Sequence, residues 1–236
     1  MTADEDENGR WPAAARDYRV VLLTITSGAV NAVSFLALGK VFSSIITGNL
    51  VLLGVAVTTH SSTEAVHAGL GIAGYAAGIL VAAPLAARGS DQAGTWPGSV
   101  TATLAAELIV LVGFCLGWEF SGGSPHDGGQ LALLIVAAAA MGMQSAAVRR
   151  LGQMSSTHLT STLLGVLAGL ATRTRPEGLG RSLGALAAIV VGALAGGMLA
   201  RSAHAWLPVA VLLPLAVVVA ESVAGTRSRG SGRGRS

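Results

Sequence analysis

The chain has 236 residues, of which 52% are hydrophobic and 11% are charged, and its formal net charge is +3. Soluble domains carry roughly 25% charged residues, so this composition excludes the soluble globular class. The apolar residues are also grouped into runs close to the ~20 residues needed to cross a bilayer. The sequence therefore predicts an all-α polytopic membrane protein whose main partner is the lipid bilayer.

The two ends of the chain are polar. The acidic N-terminus lacks the basic region of a cleavable signal peptide, so the first apolar run is expected to stay as a span. Residues 1–17 and the basic tail 222–236 are expected to be disordered, because they hold too few apolar residues to form a core. The arginines of the tail suit anionic cytoplasmic lipid better than a specific nucleic acid.

In chain order, the predicted elements are eight apolar segments separated by connectors rich in Gly, Pro and Ser. Trp96, Trp118 and Trp206 lie at segment ends, as expected for amphipathic rings at the headgroup layer. The segments are 18–38, 42–58, 65–87, 99–119, 130–148, 156–171, 182–200 and 204–221.

Two of these segments, 42–58 and 156–171, are short and unusually polar. "VFSSIITGN" at 41–49 overlaps the start of the first, and "MSSTHLTST" at 154–162 overlaps the start of the second. Such residues either join membrane helices through hydrogen bonds of about 1 kcal/mol or line a polar site. The candidate substrate-binding residues here are Ser43, Ser44, Thr47, Gly48, Asn49, Thr157, His158 and Thr160.

The two halves of the sequence resemble each other, which predicts two membrane repeats, 18–119 and 130–221. "GAVNA" at 28–32 aligns with "GMQSA" at 142–146, and after a one-residue gap the serines and threonines of the two polar segments also align. Asn31 and Ser145 take matching positions in this alignment. Together with Gln144, they join the candidate substrate-binding residues.

The distribution of basic residues favours six spans over eight. Short cytoplasmic loops carry the excess of Lys and Arg. With cytoplasmic termini, eight spans would leave a third of the 15 basic residues outside, whereas re-entry of both polar segments leaves only Lys40 and Arg201 there. We therefore predict six spans plus two re-entrant or broken segments, arranged as an inverted 3+3 repeat, a recurring plan of transporters.

Glu107 is the sharpest single signal, because insertion scales give about 3 kcal/mol for a charged group at the centre of a span. It is either a proton-coupling residue or a protonated acid that donates one structural hydrogen bond. His158 is likewise either a proton relay or a neutral, hydrogen-bonded histidine. The histidines lack ligand spacing and Cys115 is the single cysteine, so no metal site is predicted. Motifs of nucleophilic or phosphate chemistry are missing, so neither an enzyme nor a cofactor is predicted.

The stretches "GAVNAVSFLALGKVFSSIITGNLVLLG" and "AMGMQSAAVRRLGQMSSTHLTSTLLG" resemble the YoaK family of small bacterial inner-membrane proteins, a family of unknown function. The resemblance covers about residues 20–220 and implies six spans, an inner-membrane location and no settled activity. The family typically has an acidic residue at the position of Asn31 and an asparagine at that of Ser145. If that acid couples transport to protons, Glu107 is the buried carboxylate left to do so here.

These features favour a small secondary transporter that binds a small polar or anionic solute near the midplane, with Glu107 supplying proton coupling. A channel of the same architecture is the first alternative. A non-transporting scaffold or regulatory subunit is the second. The sequence names neither the substrate nor the oligomeric state, and a homo-oligomer stays open.

Overall fold

The computed structural model describes residues 13–88, 96–151, 159–172 and 179–232. This part of the chain folds into eight α-helices, with a short 3₁₀ turn before the last one. Six of the helices (α1, α3, α4, α5, α7 and α8) are long and apolar enough to cross a membrane. The prediction of an all-helical, multi-pass membrane protein is therefore confirmed. The helices are α1 Ala13–Ala37, α2 Ile46–Thr58, α3 Ser62–Ala86, α4 Gly98–Phe120, α5 Asp127–Arg150, α6 Leu159–Ala171, α7 Leu179–Ser202 and α8 Leu207–Gly232.

Local sequence signals set several of the helix ends. Ser61 caps α3, since its hydroxyl accepts a hydrogen bond from the Glu64 N–H, as N-cap serines do. Gly122 and Gly123 both have positive φ, which lets the chain turn sharply between α4 and α5. Helices α2 and α6 have 13 residues each. At 1.5 Å per residue they are about 20 Å long, short of the ~30 Å hydrocarbon core.

Contacts at the C-terminal end of α1 fix the directions of α3 and α5. Gln130, in the first turn of α5, donates its Nε2–H to the Ala37 carbonyl at 2.8 Å. His67, in the second turn of α3, lies 3.1 Å from the Gln130 Oε1, and its ring fills the space beside Gly39. The last turn of α1 thus lies beside the first turns of α3 and α5, so both helices run opposite to α1.

The two largest helix interfaces, α1 with α7 and α3 with α5, repeat the same close approach. The Cα of Gly28 faces the carbonyl of Ile189, and the Cα of Gly142 faces the carbonyl of Tyr75. A Cβ at either glycine would collide with that carbonyl. Residues 28 and 142 are 114 positions apart, and so are residues 75 and 189.

A second pair of contacts is related by the same offset of 114 residues. Gly192 lies against the backbone of Ile25, and Gly78 lies against the backbone of Ala139. Again each residue of one contact is 114 positions from its counterpart in the other. Contacts one turn away give the helix directions. Gly196 lies against the backbone of Ala29, four residues after the contact of Gly192 with Ile25, and Gly74 lies against the backbone of Ile135, four residues before the contact of Gly78 with Ala139. In each interface both helices therefore advance together, so α1 and α7 run parallel, as do α3 and α5.

The main core lies between α4, α5, α8 and α1. Trp118, Phe114 and Leu111 of α4 are fully buried there. Leucines and valines on the outer faces of α3 and α7, such as Leu80 and Leu194, are instead exposed, as expected for surfaces that face lipid rather than water. Helix α8 runs through Gly232, whereas the sequence predicted a disordered tail from 222. Extending an existing helix costs little, since only the first turn is unfavourable.

Candidate functional site

Asn31 clamps the chain that follows α1. Its Nδ2 donates to Ser44 Oγ at 2.7 Å and to the Ser27 carbonyl at 2.9 Å. Its Oδ1 accepts from the Ser44 N–H at 3.1 Å and from Ser43 Oγ at 3.2 Å. All four residues are buried. A primary amide offers two donors and an acceptor with two lone pairs, so this side chain is fully used in holding residues 43–44 against α1.

The clamp lies well inside the bundle. Asn31 precedes the end of α1 by six residues, or about 9 Å, and Ser27 precedes it by ten residues, or about 15 Å. Ser27 Oγ also lies 3.2 Å from Ser44 Oγ. After Ala37 the chain therefore folds back along α1 to reach this depth before α2 begins.

Asn49, in the first turn of α2, satisfies the backbone of Phe42. Its Oδ1 accepts from the Phe42 N–H at 2.9 Å, and its Nδ2 donates to the Phe42 carbonyl at 2.6 Å. Gly71 of α3 leaves room for this amide, because a Cβ there would lie 3.0 Å from the Asn49 Nδ2. Buried backbone groups outside regular structure need such partners. Asn49 supplies them for Phe42, and Asn31 supplies one for the Ser44 N–H.

A second polar group joins α4, α5 and α3. Gln144 donates its Nε2–H to Glu107 Oε1 at 3.1 Å, and both side chains are buried. The other carboxyl oxygen of Glu107, Oε2, is buried and has no hydrogen-bond partner among the described residues. Next to Gln144, Ser145 Oγ accepts a hydrogen bond from the Tyr75 hydroxyl at 2.8 Å.

The predicted site residues thus form two polar layers at different depths. Asn31 lies about 9 Å from the C-terminal end of α1, and Gln144 lies about 9 Å from that of α5. Since α1 and α5 run in opposite directions, the layers lie nearer opposite ends of the bundle.

The other predicted residues lie apart from both layers or outside the description. Thr47 is exposed, and Gly48 packs against the Phe42 ring. Thr157 and His158 lie outside the described residues, and Thr160 lies in α6 with its side chain outside the description. The expectation that all these residues line one site stays a prediction.

Sequence reasoning missed a cluster around Arg19. This side chain is only 1% exposed. Its guanidinium lies 4.7 Å from the centroid of the Trp96 ring, and its Nε lies 3.4 Å from Glu221 Oε2. Trp96 in turn donates its indole N–H to Thr101 Oγ1 at 3.0 Å. The sequence does not indicate that Arg19 and Trp96 are in contact. An arginine and a tryptophan at segment ends are each explained by an interfacial position alone.

Among the described residues, no three His, Cys, Asp or Glu side chains converge where they could hold a metal ion. The chemistry available in the two polar layers is therefore hydrogen bonding by hydroxyls and amides, together with one buried carboxyl group.

Comparison with known proteins assigns the family. Residues 20–220 match the family described as a protein of unknown function, DUF1275. The chain belongs to this family. It is also 32% identical over 164 residues to the UPF0700 transmembrane protein YoaK of Bacillus subtilis (strain 168), a match that covers 68% of this chain and 70% of that protein. No solved structure matches the chain at a significant level.

Membership of the DUF1275 family confirms the resemblance found in the sequence. It agrees with the six long apolar helices, and this DUF1275 protein is a multi-pass transmembrane protein. Asn31, Asn49 and both members of the Glu107–Gln144 pair fall within the matched region.

Proposed function

We propose that this protein is a small-solute secondary transporter in the bacterial inner membrane, built from two inverted three-span repeats. The observation that carries the proposal is the pair of crossings related by 114 residues, in which Gly28 meets Ile189 and Gly142 meets Tyr75. Two halves that pack on each other by exchanging equivalent contacts are related by a pseudo-two-fold axis. Inverted repeats of this kind are a recurring plan of transporters.

The inverted orientation of the halves is supported by the ends of equivalent helices. Helix α5 is the counterpart of α1, and Gln130 in its first turn bonds to Ala37 in the last turn of α1. Equivalent helices therefore run in opposite directions, as an axis in the membrane plane requires.

Re-entry of segment 42–58 is supported by its two ends. Residues 43–44 reach the depth of Asn31, whereas α3 begins at Ser62 and brings His67 back beside Gly39. On this proposal the segment enters and leaves on one side, which matches the distribution of basic residues and places both termini in the cytoplasm. Non-helical backbone at such depth is tolerated only if it is buried in protein or lines a water-filled cavity.

Within this transporter, the two asparagines have a structural role and Glu107 a chemical one. The hydrogen bonds of Asn31 and Asn49 are made to residues 42–44, so we assign solute contact to the other candidate residues, which include Thr47 and Gly48 of α2. Glu107 is buried with one donor and one unpartnered oxygen. A carboxyl group in that setting can bind and release a proton without losing an ion pair, which is what proton coupling requires.

Transport is tested by reconstituting the purified protein in liposomes with an imposed proton gradient and a panel of small polar and anionic solutes. We expect gradient-driven uptake of at least one solute, loss of that uptake in Glu107→Gln, and normal uptake in the matched variant Glu119→Gln. Glu119 lies on the same helix, near its end. Flux that ignores both the gradient and Glu107→Gln would favour a channel. No flux of any solute would favour a scaffold.

Topology is tested separately on a Cys115→Ala background with single cysteines at Ser61 or Ser90 and a membrane-impermeant thiol reagent. Two inverted repeats predict that Ser61→Cys reacts from outside and Ser90→Cys only from inside. Eight spans predict the reverse, and that result would remove the inverted repeat from the proposal.

A further inference from the structure

A groove of about 410 Å³ opens between α1 and α7 on the outer surface of the bundle. Gly197 forms its floor, where an added Cβ would lie 3.4 Å from Leu36 Cδ1. Leu194 and Met198 form its rim and are 59% and 66% exposed. The groove therefore faces the surroundings of the protein, which for these two spanning helices is lipid.

One end of the groove is polar, in contrast to its apolar floor. Arg201, in the last turn of α7, lines this end, is exposed and has no ion-pair partner among the described residues. Ser202 beside it donates its hydroxyl hydrogen to the Met198 carbonyl at 2.7 Å, which leaves its oxygen free to accept. Lys40 follows the end of α1, and because α1 and α7 run parallel it lies at the same end of the bundle.

We propose that this groove binds one acyl chain of an anionic phospholipid whose phosphate is held by Arg201. The occupant follows from charge and position. A guanidinium at the end of a spanning helix lies at headgroup level, and its planar fork matches the oxygens of a phosphate. The apolar floor then continues from Arg201 toward the middle of the span, which is the path of the acyl chain.

The first half of the chain supplies a matched control. At the offset of 114 that relates Gly78 to Gly192, Ala83 is the counterpart of Gly197, and after a one-residue gap Arg88 is the counterpart of Arg201. Ala83 carries the methyl group that Gly197 lacks. This methyl group occupies, on α3, the space that Gly197 leaves empty at the base of the groove on α7. An arginine alone should therefore attract anionic lipid weakly, and the arginine with its groove should bind one lipid tightly.

Native mass spectrometry of the full chain tests this proposal with phosphatidylglycerol and phosphatidylcholine of identical acyl chains. We expect one tightly bound phosphatidylglycerol per chain. Arg201→Gln should weaken it about fivefold, the effect of one cation near an anionic surface, to the level of phosphatidylcholine. Met198→Trp, which fills the groove from its exposed rim, should weaken both lipids, and Arg88→Gln should weaken neither.

Three outcomes would overturn the proposal. An equal loss in Arg88→Gln and Arg201→Gln would mean general attraction of anionic lipid to surface charge. Unchanged lipid binding in a folded Met198→Trp protein would mean that the groove is not the site. A change in the ratio of monomer to dimer, with the lipid count unaltered, would mean that a second copy of the chain covers this surface. None of these readouts depends on transport, so the two proposals stand or fall separately.

Discussion

Asn31 holds both polar groups of Ser44, the hydroxyl at 2.7 Å and the backbone N–H at 3.1 Å. One side chain on a spanning helix thereby fixes the backbone of a non-helical segment at the point where no regular structure could satisfy it. The contact makes Asn31 a structural residue of the first polar layer. We therefore expect substitution of Asn31 to lower the stability of the protein, whatever its effect on transport.

Asn31→Leu should lower the free energy of unfolding by about 2 kcal/mol or more, because it removes the acceptor of the buried Ser44 N–H and of the Ser43 hydroxyl. Asn31→Asp should cost less, since a protonated carboxyl group can still accept from both residues and can donate one hydrogen bond. Titration with a denaturing detergent, followed by tryptophan fluorescence, measures the loss. Thr47→Val is the matched control and should change little, because Thr47 is exposed. Equal losses for Leu and Asp would contradict the role given to the two serines.

Glu107 and Gln144 should be energetically coupled. Gln144→Leu leaves the Glu107 carboxyl buried without its donor, and Glu107→Leu leaves the Gln144 amide without its acceptor, so each single change should destabilise the protein. The double change replaces both groups by apolar ones and should recover about 1–2 kcal/mol relative to the sum of the single losses. The same detergent titration provides the double-mutant cycle. Strictly additive losses would show that the 3.1 Å contact contributes nothing.

Substitution of the glycines at the α1–α7 and α3–α5 interfaces should lower stability to a similar extent. Gly78→Ala and Gly192→Ala each place a methyl group against the backbone of the facing helix, so each should destabilise the protein by about 1–3 kcal/mol. Gly113→Ala has open space around the added methyl and should be neutral, or stabilising by up to about 1 kcal/mol from helix propensity. Thermal midpoints in detergent compare the three variants. A large loss in only one of the paired variants would contradict the equivalence of the two interfaces.

The contribution of Arg19 to stability should depend on the shape of its side chain as well as on its charge. Arg19→Lys keeps the charge but loses the planar group over Trp96, so it should lower the thermal midpoint measurably. Glu221→Gln should have a smaller effect, because the Glu221 side chain is 44% exposed and an amide oxygen at this position can still accept a hydrogen bond from the Arg19 Nε. A Glu221→Gln variant less stable than Arg19→Lys would reverse the importance assigned to these two contacts.

The sequence predicted which segments span the membrane but not which helices pack together, for a physical reason. Length and composition alone decide which segments can cross a bilayer, so six of the eight segments emerged as spanning helices. The partner of each helix depends instead on its rotation about its own axis. Helices such as α3 are apolar on all sides, so periodicity does not mark the face that packs. The glycine positions carried the missing information, but a run such as Gly74 and Gly78 indicates only that some helix approaches closely.

The sequence predicted that these polar residues are buried and hydrogen-bonded, but not which of them bond to each other. The clustering of Ser43, Ser44 and Asn49 in an apolar run indicated buried hydrogen bonds, and the repeat alignment drew attention to Asn31. The sequence could not reveal that Asn31 bonds to residues 43–44 whereas Gln144 bonds to Glu107, because that depends on the rotation of each helix about its own axis. Arg19 was assigned to a side of the membrane by the distribution of charge, a rule that says nothing about burial.

The packing of α1 on α7 joins an early part of the chain to a late one, and this affects how the protein is made. Gly28 packs on a helix that is synthesised about 160 residues later, which at 5–20 residues per second is a delay of roughly ten to thirty seconds. During that time α1 lies in the bilayer without its main partner, although the adjoining segment can already satisfy Asn31. Early bonds within the first half therefore shield the polar side chains of the nascent chain, while the glycine surfaces stay open for the helices still to come.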